Sequence, residues 1–202
     1  MKRLIVLMLA VLLAGCESLP FIAPPETDPA VTAYWDVHQQ RLSALDAWTL
    51  HGRMVLVAGD DGWTATVHWD QDRQSYKLRF IAPLGQGTYE LKGDAESVTL
   101  LTADNRLLHA GSPEALLQEN LGWQIPLASL KYWIRGLPDP AVSAEDLTLD
   151  GTGRLSQLQQ HGWRVKILRY QDVKGLDLPG KLFLKNEHFQ VRLVIQDWQT
   201  AI

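Results

Sequence analysis

The sequence predicts a mainly β fold with some α-helix, in which a strongly curved antiparallel sheet of ten or eleven strands forms an open barrel. Through most of the chain, apolar and polar residues alternate along the sequence, which is typical of strands that bury one face. Turn residues separate these stretches at short intervals. One stretch near the middle instead has helical spacing, and a helix pair there is expected to cover the concave face of the sheet.

The N-terminus has the pattern of a bacterial lipoprotein signal. Two cations near the start precede an unbroken apolar run from Leu4 to Ala14, which is too short to span a bilayer. Small residues then precede Cys16, the only cysteine, and this arrangement resembles the site at which bacterial lipoproteins are cleaved and acylated. Residues 1–15 are therefore predicted to be a removable signal peptide. A diacylglycerol group and an N-acyl chain are expected on Cys16, and no other cofactor is expected.

Residues 16–29 form a lipidated cysteine and a proline-rich tether in this interpretation. Four prolines lie between Ser18 and Pro29, and such a segment is extended enough to hold a domain away from a bilayer. Glu17 follows the cysteine, and by resemblance to enterobacterial lipoproteins the absence of aspartate there favours the outer membrane. Residues 30–202 are predicted to form a single domain, which is long enough to bury a sizeable core.

The predicted domain opens with one helix and continues as strands. Asp28-Pro29 is typical of a helix start, and apolar residues near helical spacing extend this helix to about Ala47. Alternation then predicts short antiparallel strands joined by hairpins, each with one apolar face. These strands are expected at residues 49–58, 63–70, 76–82, 89–92, 98–100 and 107–108.

Two helices and then further strands are predicted in the second half. Ser112-Pro113 supplies a capping residue followed by proline at the start of the first helix. Pro126 opens the second helix, which is either an ordinary core helix or a mobile lid. The residues close to one face of this second helix are Leu127, Leu130, Trp133, Ile134 and Leu137. Strands resume near Leu155, with clear alternation at 163–169, 181–185 and 191–196.

The residues that carry chemistry do not form a recognised catalytic or metal site. None of the six histidines has a ligand spacing typical of metal sites, so no metal is expected. The sequence has no serine nucleophile elbow, and we expect no enzyme activity and no catalytic residues. A formal net charge of −4 makes the chain a poor candidate for binding nucleic acid.

Two segments remain distinctive, and they carry a family resemblance. Pro83-Leu84-Gly85 places a leucine at the tip of a loop between two predicted strands. This leucine folds under and packs, is one of the many singly exposed leucines of protein surfaces, or touches a membrane or ligand. The second segment is the helix region at 122–138. In this order, and behind a lipoprotein signal, the two segments resemble the LolB family, the outer-membrane lipoprotein receptors of the Lol sorting system. Weaker support comes from Gly52, Trp69 and Trp198.

The resemblance implies an incomplete, eleven-stranded barrel with a helical lid over an apolar cavity. It also implies a lipid-anchored protein, facing the periplasm, that receives acylated lipoproteins from the carrier LolA. The protein would deliver this cargo into the inner leaflet of the outer membrane, where the partner is phospholipid. Pro83, Leu84 and Gly85 map onto the family loop linked to membrane delivery, and a monomer is expected. His51 departs from members that carry arginine there, which leaves any arginine role at the cavity mouth open.

A carrier of acyl chains must hide hydrocarbon from water, and a concave apolar sheet face can supply the cavity. The candidate lining residues are Trp63, Trp69, Leu78, Phe80, Leu91, Trp163, Val165, Val191 and Leu193. Alternation does not decide which apolar face lines the cavity and which packs against the lid. The alternative is a structural or scaffold outer-membrane lipoprotein, which needs the same anchor and tether but no acyl-sized cavity.

Overall fold

A computed structural model describes residues 28–200, in which one antiparallel sheet curves around a short helical segment. The predictions for the signal peptide at 1–15, for Cys16 and for most of the tether concern residues outside this described part. Helix α1 spans Pro29–Ser43, α2 spans Pro113–Leu121 and α3 spans Leu127–Trp133. Among the described residues, no helix has the length and hydropathy needed to cross a membrane.

The helices begin where the sequence predicts. The Asp28 carboxylate accepts a hydrogen bond of 2.8 Å from the Ala30 amide at the start of α1. Ser112 caps α2 in the same way, and Gly122 ends it with a left-handed φ of 70°. The predicted extension of the first helix to about Ala47 is wrong, because α1 ends at Ser43 and Ala47 already pairs with the neighbouring strand.

Eleven strands form the sheet, as the resemblance implies. Their bounds are β1 Ala47–Ala58, β2 Asp61–Asp72, β3 Ser75–Ile81, β4 Thr88–Gly93, β5 Val98–Leu101, β6 Leu107–Ala110, β7 Asp146–Leu149, β8 Leu155–Gln160, β9 Trp163–Val173, β10 Leu176–Lys185 and β11 Phe189–Thr200. The order is β6-β5-β4-β3-β2-β1-β11-β10-β9-β8-β7, and every neighbouring pair is antiparallel. Since β6 and β7 are unpaired edges, the sheet stays open, which confirms the predicted fold class.

Strand β7 is the one strand that alternation does not predict. Three of its four residues are exposed, so it has no buried face to impose a period of two on the sequence. In contrast, the central strands β1 and β11 each alternate between a buried inner face and a more exposed outer face. The inner face and the helical segment share one continuous hydrophobic core.

Gly52 lies at a bulge where these two central strands meet. The register between β1 and β11 shifts between His51 and Gly52. A Cβ atom at position 52 would stand 2.5 Å from the carbonyl oxygen of Val194. Only glycine lets the two backbones approach this closely, which explains the residue that interrupts the apolar pattern of the first predicted strand.

Candidate functional site

An apolar cavity lies between the concave face of the sheet and the helical segment at 122–138, which we call the lid. Its wall presents only apolar surface. The lining residues are Leu50, Met54, Val67, Trp69, Leu78, Phe80, Leu117, Trp123, Ile125, Leu127, Leu130, Trp133, Ile134, Trp163, Leu184, Val191 and Leu193. The volume is about 40 Å³, whereas sites for small organic ligands measure about 300–1,000 Å³. In this closed arrangement the cavity has no room for an acyl chain.

The structure brings six of the nine predicted sheet residues into this wall. They are Trp69, Leu78, Phe80, Trp163, Val191 and Leu193. Leu91 and Val165 do not line the cavity, although both are fully buried. Each pairs across the sheet with another buried leucine and packs in the continuous core instead. Alternation identifies the buried face of a strand, but it does not separate the part under the lid from the rest of the core.

Trp63 also lies outside the wall, and its side chain is 40% exposed. It meets the lid edge-on, with 5.8 Å between its ring centroid and that of Trp123. Of the predicted lid residues, Leu127, Leu130, Trp133 and Ile134 line the cavity. The fifth, Leu137, is buried beyond the lining.

Gln160, at the end of β8, holds the C-terminal end of the lid through a buried amide. Its Oε1 atom accepts hydrogen bonds of 2.9 Å from the indole Nε1 of Trp133 and from the backbone amide of Asp139. Its Nε2 atom donates to the carbonyl oxygens of Asp139 and Val142. Every hydrogen-bonding position of this buried side chain is therefore used, which makes the contact specific as well as stabilising.

Arg135 fixes the same end of the lid to the end of α1. Its Nη1 atom donates to the carbonyl oxygens of Leu42 and Leu45 at 3.1 and 2.7 Å, and its Nε atom donates to Lys131. Burial lowers the pKa of Arg135, but backbone carbonyls solvate the cation in place of water. Sequence reasoning assigned no role to Gln160 or Arg135. A basic residue within an otherwise apolar helical face was the available signal for Arg135.

The N-terminal end of the lid is held differently. Trp123 packs edge-to-face against Phe80 at 5.1 Å between ring centroids, and Ile125 is buried beside the same cavity. The indole Nε1 of Trp123 is buried and has no hydrogen-bond partner among the described residues. Sequence reasoning missed both residues as lining, because they lie in an extended stretch before α3 that has no helical period.

The loop at Pro83–Gly85 exposes its leucine to solvent. Leu84 is 97% exposed and has a left-handed φ of 56°, a conformation that costs a residue with a side chain about 1–2 kcal/mol. Hydrogen bonds from Ala82 N to Gly87 O and from Gln86 N to Pro83 O close the loop. Folding under the loop is therefore excluded, whereas a singly exposed leucine and a leucine that touches a membrane or ligand both fit this exposure.

The histidines do not form a metal site in the described part of the chain, where no group of three or more potential ligands occurs. His51 faces His68 across β1 and β2, with 4.4 Å between ring centroids. Burial and the neighbouring His51 lower the pKa of His68. Both rings lie on the outer face of the sheet, so position 51 does not line the cavity.

Comparisons with known proteins match the chain over most of its length. A family model described as "Outer membrane lipoprotein LolB" matches residues 46–198. The outer-membrane lipoprotein LolB of Nitrosococcus oceani is 40% identical over 196 residues, which cover 96% of each chain. The LolB protein of Pseudomonas syringae pv. syringae is 39% identical over 201 residues, covering 98% of this chain and 96% of the relative.

Solved structures resemble the chain in fold alone. A LolA superfamily protein from Nitrosomonas europaea superimposes with a TM-score of 0.58, covering 87% of this chain and 95% of that one. The two sequences are 6% identical. The curved sheet is therefore shared with a protein of very different sequence.

Proposed function

The chain belongs to the LolB family of outer-membrane lipoproteins, and from this premise we propose that it accepts acylated lipoproteins from the periplasmic carrier LolA and inserts them into the inner leaflet of the outer membrane. The observation that carries the proposal is an entirely apolar cavity closed by a lid. A stable scaffold has no use for such a lid, because an apolar cavity that only packs is more stable when it is filled.

Acyl chains enter this cavity only when the lid moves. The closed volume of about 40 Å³ has to grow by roughly an order of magnitude to reach the range of organic-ligand sites. The contacts of Trp123 with Phe80 and Trp63 separate without breaking a side-chain hydrogen bond. The next side-chain hydrogen bonds along the lid are those that the Leu127 and Ala128 amides donate to the Glu114 carboxylate. Opening at that end exposes apolar surface, which an incoming acyl chain covers again.

Transfer needs no external energy source in this scheme. Cargo moves from carrier to receptor to bilayer, and each step buries the acyl chains in a more favourable environment. Leu84 assists the last step, because its exposed side chain enters the bilayer and brings the cavity close to the lipid. The acyl anchor on Cys16 serves location only, since the cavity and the loop both lie within the described domain.

A transfer assay tests the proposal. A soluble chain that begins after Cys16 keeps the whole sheet and its continuous core, so it retains the contacts that fold the domain. This domain is mixed with LolA that carries a triacylated lipoprotein, and the cargo is followed by size exclusion. We expect cargo to move onto the domain, and cargo without acyl chains to stay behind. No movement from a demonstrably loaded carrier would contradict the proposal and favour the scaffold interpretation.

The role of Leu84 is tested separately with a matched control. We expect Leu84→Glu to accept cargo normally but to release it into liposomes much more slowly, with an unchanged free energy of unfolding. Leu107→Glu makes the same change at another exposed leucine, 59% exposed on the edge strand β6. This control should release cargo at the parent rate. If Leu84→Glu delivers cargo as fast as the parent, the insertion role of the loop is wrong.

A further inference from the structure

The outer face of the sheet divides into a basic part and a mixed part. Cross-strand pairing arranges the outward-facing residues in rows perpendicular to the strands. One row runs through Arg169, Lys181, Val194, Arg53, Thr66 and Ile81. The next row runs through Gln157, Lys166, Phe183, Arg192, Val55 and Thr64. Neither row contains an aspartate or a glutamate.

Cations also occur in a third row, beyond the second, whereas the rows on the opposite side of the first row contain acids. The third row adds Arg164 and Lys185, and its first acid is Asp146, which lies two strands beyond Arg164 on the edge strand β7. On the opposite side of the first row, acids return at once. His51 pairs with Asp197, and Glu90 forms ion pairs with Lys92 and Lys77 at 2.6 and 3.8 Å. The outer face is therefore neutralised in one part and left basic in the other.

The basic cations are available for a partner. We define the basic outer face by Arg53, Arg164, Lys166, Lys181, Lys185 and Arg192. Within residues 28–200, none of these six forms an ion pair with a described acid. Apolar side chains lie among them, including Leu168, which is 54% exposed. Exposed apolar groups mixed with cations are typical of surfaces that meet anionic membranes.

The basic outer face ends at the exposed loop. Its first row reaches Ile81, three residues before Leu84. A groove of about 420 Å³ on this face is lined by Arg53, Thr64, Thr66, Ile81, Ala82, Pro83 and Ala65. Arg53 lies two strands from Ile81, which corresponds to about 10 Å between their Cα atoms. A guanidinium and two threonine side chains are thus placed beside the base of the loop.

We propose that the basic outer face docks on an anionic phospholipid surface and orients the domain so that Leu84 meets the bilayer, with a lipid phosphate in the groove beside Arg53. The proposal rests on the proposed function in one respect, since it takes Leu84 as the residue that enters the membrane. The Arg53 guanidinium pairs with the phosphate, and the hydroxyl groups of Thr64 and Thr66 donate to it.

Net charge makes this orientation selective. The chain carries a formal net charge of −4, so an anionic bilayer repels the protein as a whole. The acid-free part of the outer face is the part on which local attraction exceeds that repulsion. Because the attraction falls off within a Debye length of about 8 Å at physiological ionic strength, the cations nearest the loop contribute most. A membrane is favoured over an acidic protein because the same face continues into an exposed apolar tip.

Vesicle flotation of the soluble domain tests the docking. The vesicles are made of phosphatidylcholine alone or of phosphatidylcholine mixed with phosphatidylglycerol. We expect tighter binding to the anionic vesicles, weakened by salt, and about a fivefold loss of that binding in Arg53→Gln, from about 1 kcal/mol per basic residue near the surface. Arg73→Gln makes the same change at an exposed arginine that already faces Asp46 and Asp72 at the far end of β2. This control should bind as the parent does.

Each outcome separates the docking from the proposed function. Equal binding of the parent and Arg53→Gln to anionic vesicles overturns the proposal, even if Leu84 proves essential for delivery. The docking proposal is also overturned if Arg53→Gln binds vesicles normally but takes less cargo from LolA, because the basic outer face then binds a protein partner. Leu84→Glu should weaken binding to neutral and anionic vesicles alike. If Leu84→Glu binds both kinds of vesicle as tightly as the parent, Leu84 does not enter the membrane. The salt-dependent binding by the basic outer face is then unaffected.

Discussion

The two ends of the lid pack on the same sheet but are held by different forces. At the C-terminal end, the buried side chains of Gln160 and Arg135 make seven hydrogen bonds, including one to the indole of Trp133. At the N-terminal end, the side chain of Trp123 makes ring contacts only, and its indole N–H is unpaired among the described residues. Near this end, the Glu114 carboxylate also accepts hydrogen bonds from the backbone amides of Leu127 and Ala128 at 3.0 and 3.4 Å. The C-terminal end is thus held by seven hydrogen bonds of two buried side chains, and the N-terminal end mainly by apolar contact, with one carboxylate at the start of α3.

This difference indicates where the lid opens. Separating a buried hydrogen-bonded network leaves polar groups without partners, and each such group costs about 1–3 kcal/mol. Separating apolar surfaces costs nothing comparable if an acyl chain replaces the lost contact. We therefore expect the polar end to stay fixed and the Trp123 end to move when the lid opens. Substitutions at the two ends of the lid test this asymmetry.

The largest effect is expected for Gln160→Leu. The change leaves the Trp133 indole, the Asp139 amide and two carbonyl groups without their partner in the core. We expect the free energy of unfolding, measured by urea denaturation, to fall by about 3–5 kcal/mol. Gln157→Leu changes the same residue type on the same strand, where the side chain reaches only Asp146. A Gln160→Leu variant as stable as this control would remove the basis for a fixed polar end.

The sequence predicts the sheet well and the fixed end of the lid poorly, and the reason is physical. A strand such as β1 repeats its environment at every second residue, so alternation identifies it. Gln160 also belongs to a strand, but its role depends on Trp133 and Asp139, which are 27 and 21 residues away. A polar residue within an alternating stretch has no local signature that distinguishes a buried, fully bonded amide from a solvated one.

The sequence predicts one part of the candidate site, the exposed loop, but not the extent of the cavity. The exposed loop at Leu84 follows from proline and glycine on either side of an apolar residue. The division of the inner face into cavity and core does not, since Leu78 lines the cavity and its cross-strand partner Leu91 does not. That division depends on where the lid lies above the sheet, and the alternation within a strand does not show which part of its buried face the lid covers.

A matched pair of substitutions compares the two ends directly. Trp133→Phe and Trp123→Phe remove the same volume and the same indole N–H. At position 133 the N–H donates to Gln160 at 2.9 Å, whereas at position 123 it has no partner within residues 28–200. We therefore expect Trp133→Phe to lower the free energy of unfolding by about 1–2 kcal/mol more than Trp123→Phe. Equal urea midpoints for the two variants would show that hydrogen bonding does not distinguish the ends.

The smallest effect is expected from pH, and it acts on the fixed end through α1. His38 packs in this helix, whose C-terminal carbonyl at Leu42 accepts a hydrogen bond from Arg135. Burial lowers the pKa of His38 below its usual 6.5; Arg41 and Arg154 lower it further, and Asp177 and Asp150 oppose them. The folded protein therefore disfavours the protonated ring that the unfolded chain accepts near pH 6.5.

The stability that neutral His38 contributes is complete above pH 6.5 and is lost as the pH falls through that value towards the lower pKa of the folded state. Urea unfolding at pH 7.5 and 5.5 should show a loss on acidification in the parent and a smaller loss in His38→Phe, which keeps a ring stacked on Tyr34. His188→Phe, at an exposed turn, should retain the parent dependence. If His38→Phe loses as much stability as the parent, the acid sensitivity of the domain arises elsewhere, and α1 does not transmit pH to the fixed end of the lid.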